Sequence, residues 1–125
     1  MMKIHESAED YLEAMLMMQE KNGFIRSVDI AKKLGVTKPS VSYAVKQLRE
    51  NGYISMDKEG HITLRKSGME IASRIYKRHV LLTKYLEHIG VDPKVAEADA
   101  CKMEHDMSEE TFEAICRQAR AAQIV

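Results

Sequence analysis

At 125 residues, with 19 Lys+Arg against 19 Asp+Glu and no formal net charge, the chain has room for one domain or two small ones sharing a core. A 45% hydrophobic, 30% charged composition is that of a soluble globular protein and excludes wholesale disorder. No apolar run is long enough to span a bilayer, and Met1-Met2-Lys3-Ile4-His5-Glu6 lacks the apolar core of a signal peptide, so a cytoplasmic protein with no membrane partner is expected.

The first predicted element is a helix opening at Ser7-Ala8-Glu9-Asp10, with Ser7 as N-cap and Asp10 in the capping-box place. Tyr11, Leu12, Met15, Leu16 and Met18 form its apolar face, and it ends near Asn22-Gly23. Its charges from Glu6 to Glu20 are all acids. Capping and the helix dipole account for Asp10 but not for Glu13, one turn farther in on the same side.

Ser27 to Val36 predicts a short capped helix closed by Gly35, and after one turn Thr37 to Gly52 predicts a second, with Pro39 tolerated near its start and Gly52 as the stop. Val41, Val45 and Leu48 make its buried stripe. Ala31 and Gly35 are read as allowing the two helices to approach closely, a helix-turn-helix pattern. Tyr53-Ile54-Ser55-Met56 and His61-Ile62-Thr63-Leu64 around Asp57-Lys58-Glu59-Gly60 carry hairpin chemistry, which makes the unit a winged helix-turn-helix. Between Lys32 and Glu50 lie Lys32, Lys33, Lys38, Lys46 and Arg49 against the single acid Glu50, a balance suited to a polyanion. The second helix is expected to enter the major groove of double-stranded DNA, with Ser40, Ser42, Tyr43, Lys46 and Gln47 able to reach bases or phosphates. Lys38, Arg49 and the wing residue Lys58 would mainly hold phosphates. The bland alternative is a winged helix that binds only protein, its charges an ordinary solvated face.

From about Ser67 a long helix runs to Ile89, its stripe Ile71, Ile75, Leu82, Leu86 and Ile89 interrupted by His79, with Lys77 and Arg78 expected to face outward. Asp92 caps the next helix with Pro93 at its first position. That helix carries Cys101-Lys102-Met103-Glu104-His105, in which Cys101, Glu104 and His105 stand at i, i+3 and i+4 on one face. Thiolate and imidazole suit Fe, Zn and Cu, and carboxylate also suits Mn, so the trio is a candidate half-site for a transition metal. A small buried thiol beside a solvated acid and imidazole is the ordinary reading of the same residues. The two cysteines, Cys101 and Cys116, are too few for a disulfide framework and would be kept reduced in the cytosol. A Ser108 cap then opens a last helix holding Phe112, Ile115 and Cys116.

With Glu9-Asp10-Tyr11-Leu12-Glu13, Lys38-Pro39-Ser40-Val41-Ser42, Lys77-Arg78-His79-Val80-Leu81-Leu82 and Cys101-Lys102-Met103-Glu104-His105-Asp106-Met107-Ser108 in this order, the chain resembles the DtxR/MntR family of metal-dependent repressors over nearly its whole length. The resemblance implies a mainly α protein, with a winged helix-turn-helix bearing a small β-hairpin wing over residues 1–66 and a helical metal-binding and dimerisation domain over 67–125. It implies a homodimer in which a bound divalent metal increases affinity for operators of metal-uptake genes. Carried over by position, Asp10, Glu13, His79, Cys101, Glu104 and His105 match metal ligands of the family. Asp10 and Glu13 follow its manganese-responsive branch and Cys101 its iron-responsive branch. Thr83 replaces a Glu of an ancillary iron-branch site, and Glu97 stands where that branch has a further His and could substitute for it. With the sequence running to Val125, the SH3-like domain of the long members is expected to be absent. Mn2+ or Fe2+ is the expected cofactor, Mn2+ slightly favoured, with Zn2+ or Co2+ able to bind in vitro.

No enzyme and no small-molecule substrate are expected. A thiolate–imidazole pair of Cys101 and His105 lacks an oxyanion loop or substrate cleft, and i, i+4 spacing is ordinary on a helix. A metal-independent winged-helix regulator sensing a small organic ligand is the alternative.

Overall fold

The structure, a computed structural model, describes residues 6–124; the Met1–His5 stretch lies outside them. The chain divides into two compact units, the first ending at Ser73 and the second starting at Arg74. Among the described residues no helix is long and apolar enough to cross a membrane.

The first unit holds α1 (Glu6–Asn22), β1 (Ile25–Arg26), α2 (Ser27–Leu34), α3 (Lys38–Glu50), β2 (Ile54–Met56), β3 (His61–Leu64) and the opening turns of α4 (Lys66–His88). α1 already includes Glu6, so Ser7 lies inside the helix and is not its cap. The apolar face read from the sequence is buried, with Leu12 and Met15 fully enclosed. α2 follows Arg26 with no side-chain cap bond, and Gly35 closes it at φ 66°. An added Cβ at Gly35 would meet nothing, so the turn needs glycine for its left-handed backbone and not for close approach.

α3 begins as its sequence predicts. Thr37 caps it, accepting from the Ser40 amide at 3.2 Å and donating to the Ser40 hydroxyl at 2.8 Å, and Pro39 sits in the first turn. Val41, Val45 and Leu48 are its buried line. The wing is one strand richer than the hairpin: a three-stranded antiparallel sheet in the order β1-β3-β2, with Ile25 opposite Ile62 and Ile54 opposite Leu64. β1 escaped the sequence reading because a two-residue strand has no periodicity of its own; only its pairing with β3 defines it.

The β2–β3 turn is fastened by Asp57, whose Oδ1 accepts from the amides of Glu59 and His61, both at 2.9 Å. Chiefly the His61 amide, helped by that of Glu59 and the nearby imidazole, holds the Asp57 carboxyl below the usual carboxylate range against an opposing desolvation. A carboxyl held low stabilises the folded turn above its unfolded pKa of about 3.9 and loses that contribution as pH falls through the lower folded value. The protection of the Glu59 and His61 amides relative to their intrinsic exchange rates should therefore fall in acid below about pH 4. Asp57→Ala should lack that protection at every pH, and an unchanged profile would disprove the latch.

The second unit comprises the remainder of α4, α5 (Pro93–Asp106) and α6 (Glu109–Ala121). Asp92 caps α5 by accepting from the Lys94 amide, and Ser108 caps α6 by accepting from the Thr111 amide, both at 3.1 Å. Leu81, Phe112, Cys116 and Ala119 form a buried cluster, joined by Met107, Ile115 and Ile124. Two expectations for α4 are corrected. Ile89 is 58% exposed and does not continue the buried stripe, and Arg78, expected to face outward, is only 4% exposed. Arg78 is drawn inward by acceptors that no local pattern in α4 could reveal: its Nη1 donates to the carbonyls of Glu104 at 3.1 Å and Met107 at 2.7 Å.

Candidate metal centre

The second unit brings His79, Cys101 and Glu104 together, each offering one ligand atom within 4.8 Å of the others. α4 supplies the imidazole, one residue after the anchored Arg78. α5 supplies the thiol and the carboxylate at i, i+3, one turn apart on one face. The buried line of α5 is Ala96, Ala100 and Glu104, so a carboxylate occupies the third place of an otherwise small apolar stripe. Glu104 is fully buried and Cys101 exposed, which gives the group a dry end and a wet end.

Glu104 organises the centre. Its Oε2 lies 3.0 Å from His79 Nδ1, and its Oε1 lies 3.5 Å from Nε2 of His105, whose side chain is 1% exposed. That Oε1 accepts no hydrogen bond among the described residues. Enclosing a carboxylate in this way is expensive unless a cation or several donors answer it. Metal–ligand bonds of about 2.0–2.3 Å hold donors up to roughly 4–4.6 Å apart, so three donors already within 4.8 Å of one another need only small side-chain shifts to share one ion. Nitrogen, sulfur and oxygen from His, Cys and Glu form a set for a first-row transition metal, not for Ca2+ or Mg2+. His105 joins the group at its edge, through the second oxygen of Glu104, instead of closing with the other three.

Asp10 and Glu13 stand one turn apart on α1, Asp10 half-buried and Glu13 5% exposed. Glu97 is exposed on α5. Thr83 donates its hydroxyl to the His79 carbonyl at 2.7 Å, a bond internal to α4. The structure adds one residue that the sequence reading missed. Arg78 holds the last carbonyls of α5, its Nη2 reaches Glu109 Oε2 at 2.8 Å, and its guanidinium lies 5.1 Å over the Phe112 ring. It fixes the helix end from which Glu104 projects. Its place beside His79 was the only signal available. A second donor group, Asp57, Glu59 and His61 on the wing, is solvent-exposed, and its Asp57 oxygen is already taken by backbone amides.

On the first unit, Lys38, Ser40, Ser42, Tyr43, Lys46 and Arg49 are exposed on α3, Tyr43 at 61%, while Gln47 is half-buried. Lys58 is exposed on the wing turn. Lys32 and Lys33 in the last turn of α2 are exposed as well. A helix whose open face carries Lys, Arg, Ser and Tyr over a Val/Val/Leu underside has the chemistry to meet phosphates and base edges.

Two family profiles match the chain: the iron dependent repressor N-terminal DNA binding domain over residues 3–62, and the iron dependent repressor metal binding and dimerisation domain over residues 65–122. The transcriptional regulator MntR of Escherichia coli O6:H1 is 36% identical over 109 residues, 87% of this chain and 70% of that protein. An HTH-type transcriptional regulator of Methanocaldococcus jannaschii is 36% identical over 110 residues, 86% of this chain and 88% of that protein. Among solved structures, a manganese-dependent transcriptional repressor in complex with manganese superposes with a TM-score of 0.81 at 26% identity, over 89% of this chain and 51% of that one. The fold is shared with the IdeR of T. acidophilum, at a TM-score of 0.80 and 24% identity over 94% of this chain and 55% of that one. The chain thus spans about half the length of these two structures.

A winged helix with a basic reading face, on a chain that gathers imidazole, thiol and carboxylate around one point, defines a metal-responsive DNA-binding regulator. The chain belongs to the DtxR/MntR family and is a metal-dependent, DNA-binding transcriptional repressor.

Proposed function

We propose that the chain represses metal-uptake genes in the cytoplasm as a homodimer, and that Asp10 and Glu13 complete with His79, Cys101, Glu104 and His105 a site for one divalent cation. The observation that carries this reading is the buried Glu104 carboxylate with an imidazole and a thiol beside it. When bound, the ion supplies the positive charge that lets the three carboxylates of Asp10, Glu13 and Glu104 and the Cys101 thiol sit close together. Without it those acids repel one another and disfavour docking of α1, the helix that packs beside the DNA reader. Asp10 and Glu13 thereby couple the reading helix to the dimerising part, with a coupling of about 1–3 kcal/mol typical of such linkages. Hard carboxylate oxygens favour Mn2+ and the Cys101 thiolate moves preference toward Fe2+. We place Mn2+ first, in keeping with the manganese bound in the superposed repressor. Glu97 is held in reserve for a second ion.

The exposed apolar corner where α4 meets α5, with Ile89 58% and Val95 50% exposed, is proposed as the surface that pairs the subunits. The protein acts by binding and not by turnover.

The test uses a duplex selected by the metal-loaded chain from a randomised library, titrated anaerobically in buffered Mn2+ and Fe2+. His79→Ala and Glu104→Ala should lose metal-stimulated binding while keeping the native circular dichroism; unchanged metal dependence in either would refute the site. Lys46→Ala should weaken DNA binding and leave metal affinity unaltered, and a large loss of metal affinity by calorimetry would contradict this separation of roles.

A further inference from the structure

The second unit carries a cavity that neither metal nor DNA binding uses. Between α4 and α6 lies a half-open trough of about 310 Å³ walled by Tyr76, Val80, Leu81, Phe112 and Cys116. Its lining is almost wholly apolar, and it is about twice the ~150 Å³ cavity that accepts benzene in an engineered core. It runs into a more polar hollow of about 400 Å³, which shares Lys77, Phe112, Cys116 and Arg120 with it and adds Arg117, Glu109 and Glu113.

Charge at the polar end is unbalanced. Glu109 is engaged by Arg78 at 2.8 Å, which leaves Lys77, Arg117 and Arg120 facing Glu113 alone. None of these three cations has an ion-pair partner within 4.0 Å among the described residues. An apolar slot ending in uncommitted cations is complementary to one ligand chemistry: an apolar tail bearing a single anionic head.

We propose that the α4–α6 trough binds a small amphipathic anion, an aromatic or medium-chain acyl carboxylate, with the tail against Val80, Leu81 and Phe112 and the head among Lys77, Arg117 and Arg120. The site is separate from the metal centre and does not depend on the metal-responsive reading. Tyr76, Lys77 and Val80 flank His79 on α4, so an occupant would rest against the helix that presents a metal ligand.

The experiment follows 8-anilino-1-naphthalenesulfonate fluorescence on the full chain in the presence of chelator. One dye should bind per subunit and be displaced by octanoate but not by octylamine. Lys77→Glu combined with Arg120→Glu, both exposed and outside the core, should weaken dye and octanoate at least tenfold while the thermal transition stays in place. Val80→Trp should fill the slot and abolish binding. Should that variant misfold, the rim pair alone decides. Equal displacement by octylamine, or an unaffected rim variant, would reduce the trough to an unspecific apolar patch and overturn the proposal. Binding seen only when the protein is diluted to monomer would identify the occupant as a second copy of the chain and overturn it equally.

Discussion

Arg78→Met should destabilise the second unit by about 3–4 kcal/mol, read from the urea midpoint at constant slope. Methionine keeps much of the stem volume, so little of this loss is a cavity. What disappears is the donor to two carbonyls at the end of α5, Glu104 at 3.1 Å and Met107 at 2.7 Å, inside the protein. A buried acceptor left without its donor costs about 1–3 kcal/mol, and the guanidinium over Phe112 adds roughly 0.5–1 kcal/mol. The Glu109 pair contributes little, since that carboxylate is 61% exposed and screened by water. Arg78→Lys should recover only part of the loss, because one ammonium cannot reproduce a planar fork that reaches two carbonyls and a carboxylate. The measurement that separates positioning from mere stability is metal affinity at low temperature, where the variant stays folded. Release of the α5 end should loosen Glu104 and weaken metal binding at least tenfold, whereas unchanged affinity would leave Arg78 a purely structural residue.

Gly68→Ala should destabilise the winged unit by about 1–3 kcal/mol or more, although the helix scale predicts the opposite sign. In an open helix this exchange would gain about 1 kcal/mol from propensity. Gly68, however, sits in the first turns of α4 against the backbone of Tyr53. A methyl there collides with the Tyr53 carbonyl oxygen, comes within 3.1 Å of its carbon and presses Leu12 Cδ2 at 3.4 Å. That oxygen already accepts the Arg65 amide at 3.0 Å, so it cannot retreat without disturbing the entry to α4. Overpacking against a backbone outweighs the propensity gain. A chemical melt showing Gly68→Ala equal to or above the parent would disprove the close approach.

The parts of the molecule that were legible in the sequence are those fixed within one or two turns of chain. The Val41, Val45 and Leu48 underside of α3, the Asp92-Pro93 opening of α5 and the Ser108 cap of α6 all follow from local chemistry. The meeting of Cys101 with Glu104 was legible for the same reason, as an i, i+3 pair, and His79 for being polar in an apolar stripe. What escaped depends on partners distant in sequence. Arg78 looked solvent-facing because its carbonyl acceptors lie 26 and 29 residues away. Ile89 looked buried because it keeps the stripe, yet among the described residues it is left 58% exposed. His105 matched a ligand position, yet its imidazole answers Glu104 at 3.5 Å, a relation that spacing alone does not specify.

The small hydroxyl clasp at the head of α3 has a thermodynamic consequence for recognition. With Thr37 bonded to both the amide and the hydroxyl of Ser40, that rotor is already restrained before any duplex arrives. Contacts made through it forfeit little rotational freedom, whereas Lys46 and Arg49 must each surrender up to roughly 1.5–2 kcal/mol of rotamer entropy if they are fully immobilised. Discrimination between sequences should therefore concentrate at the preorganised head of the helix, and the long cations nearer its tail should set how strongly salt weakens the complex.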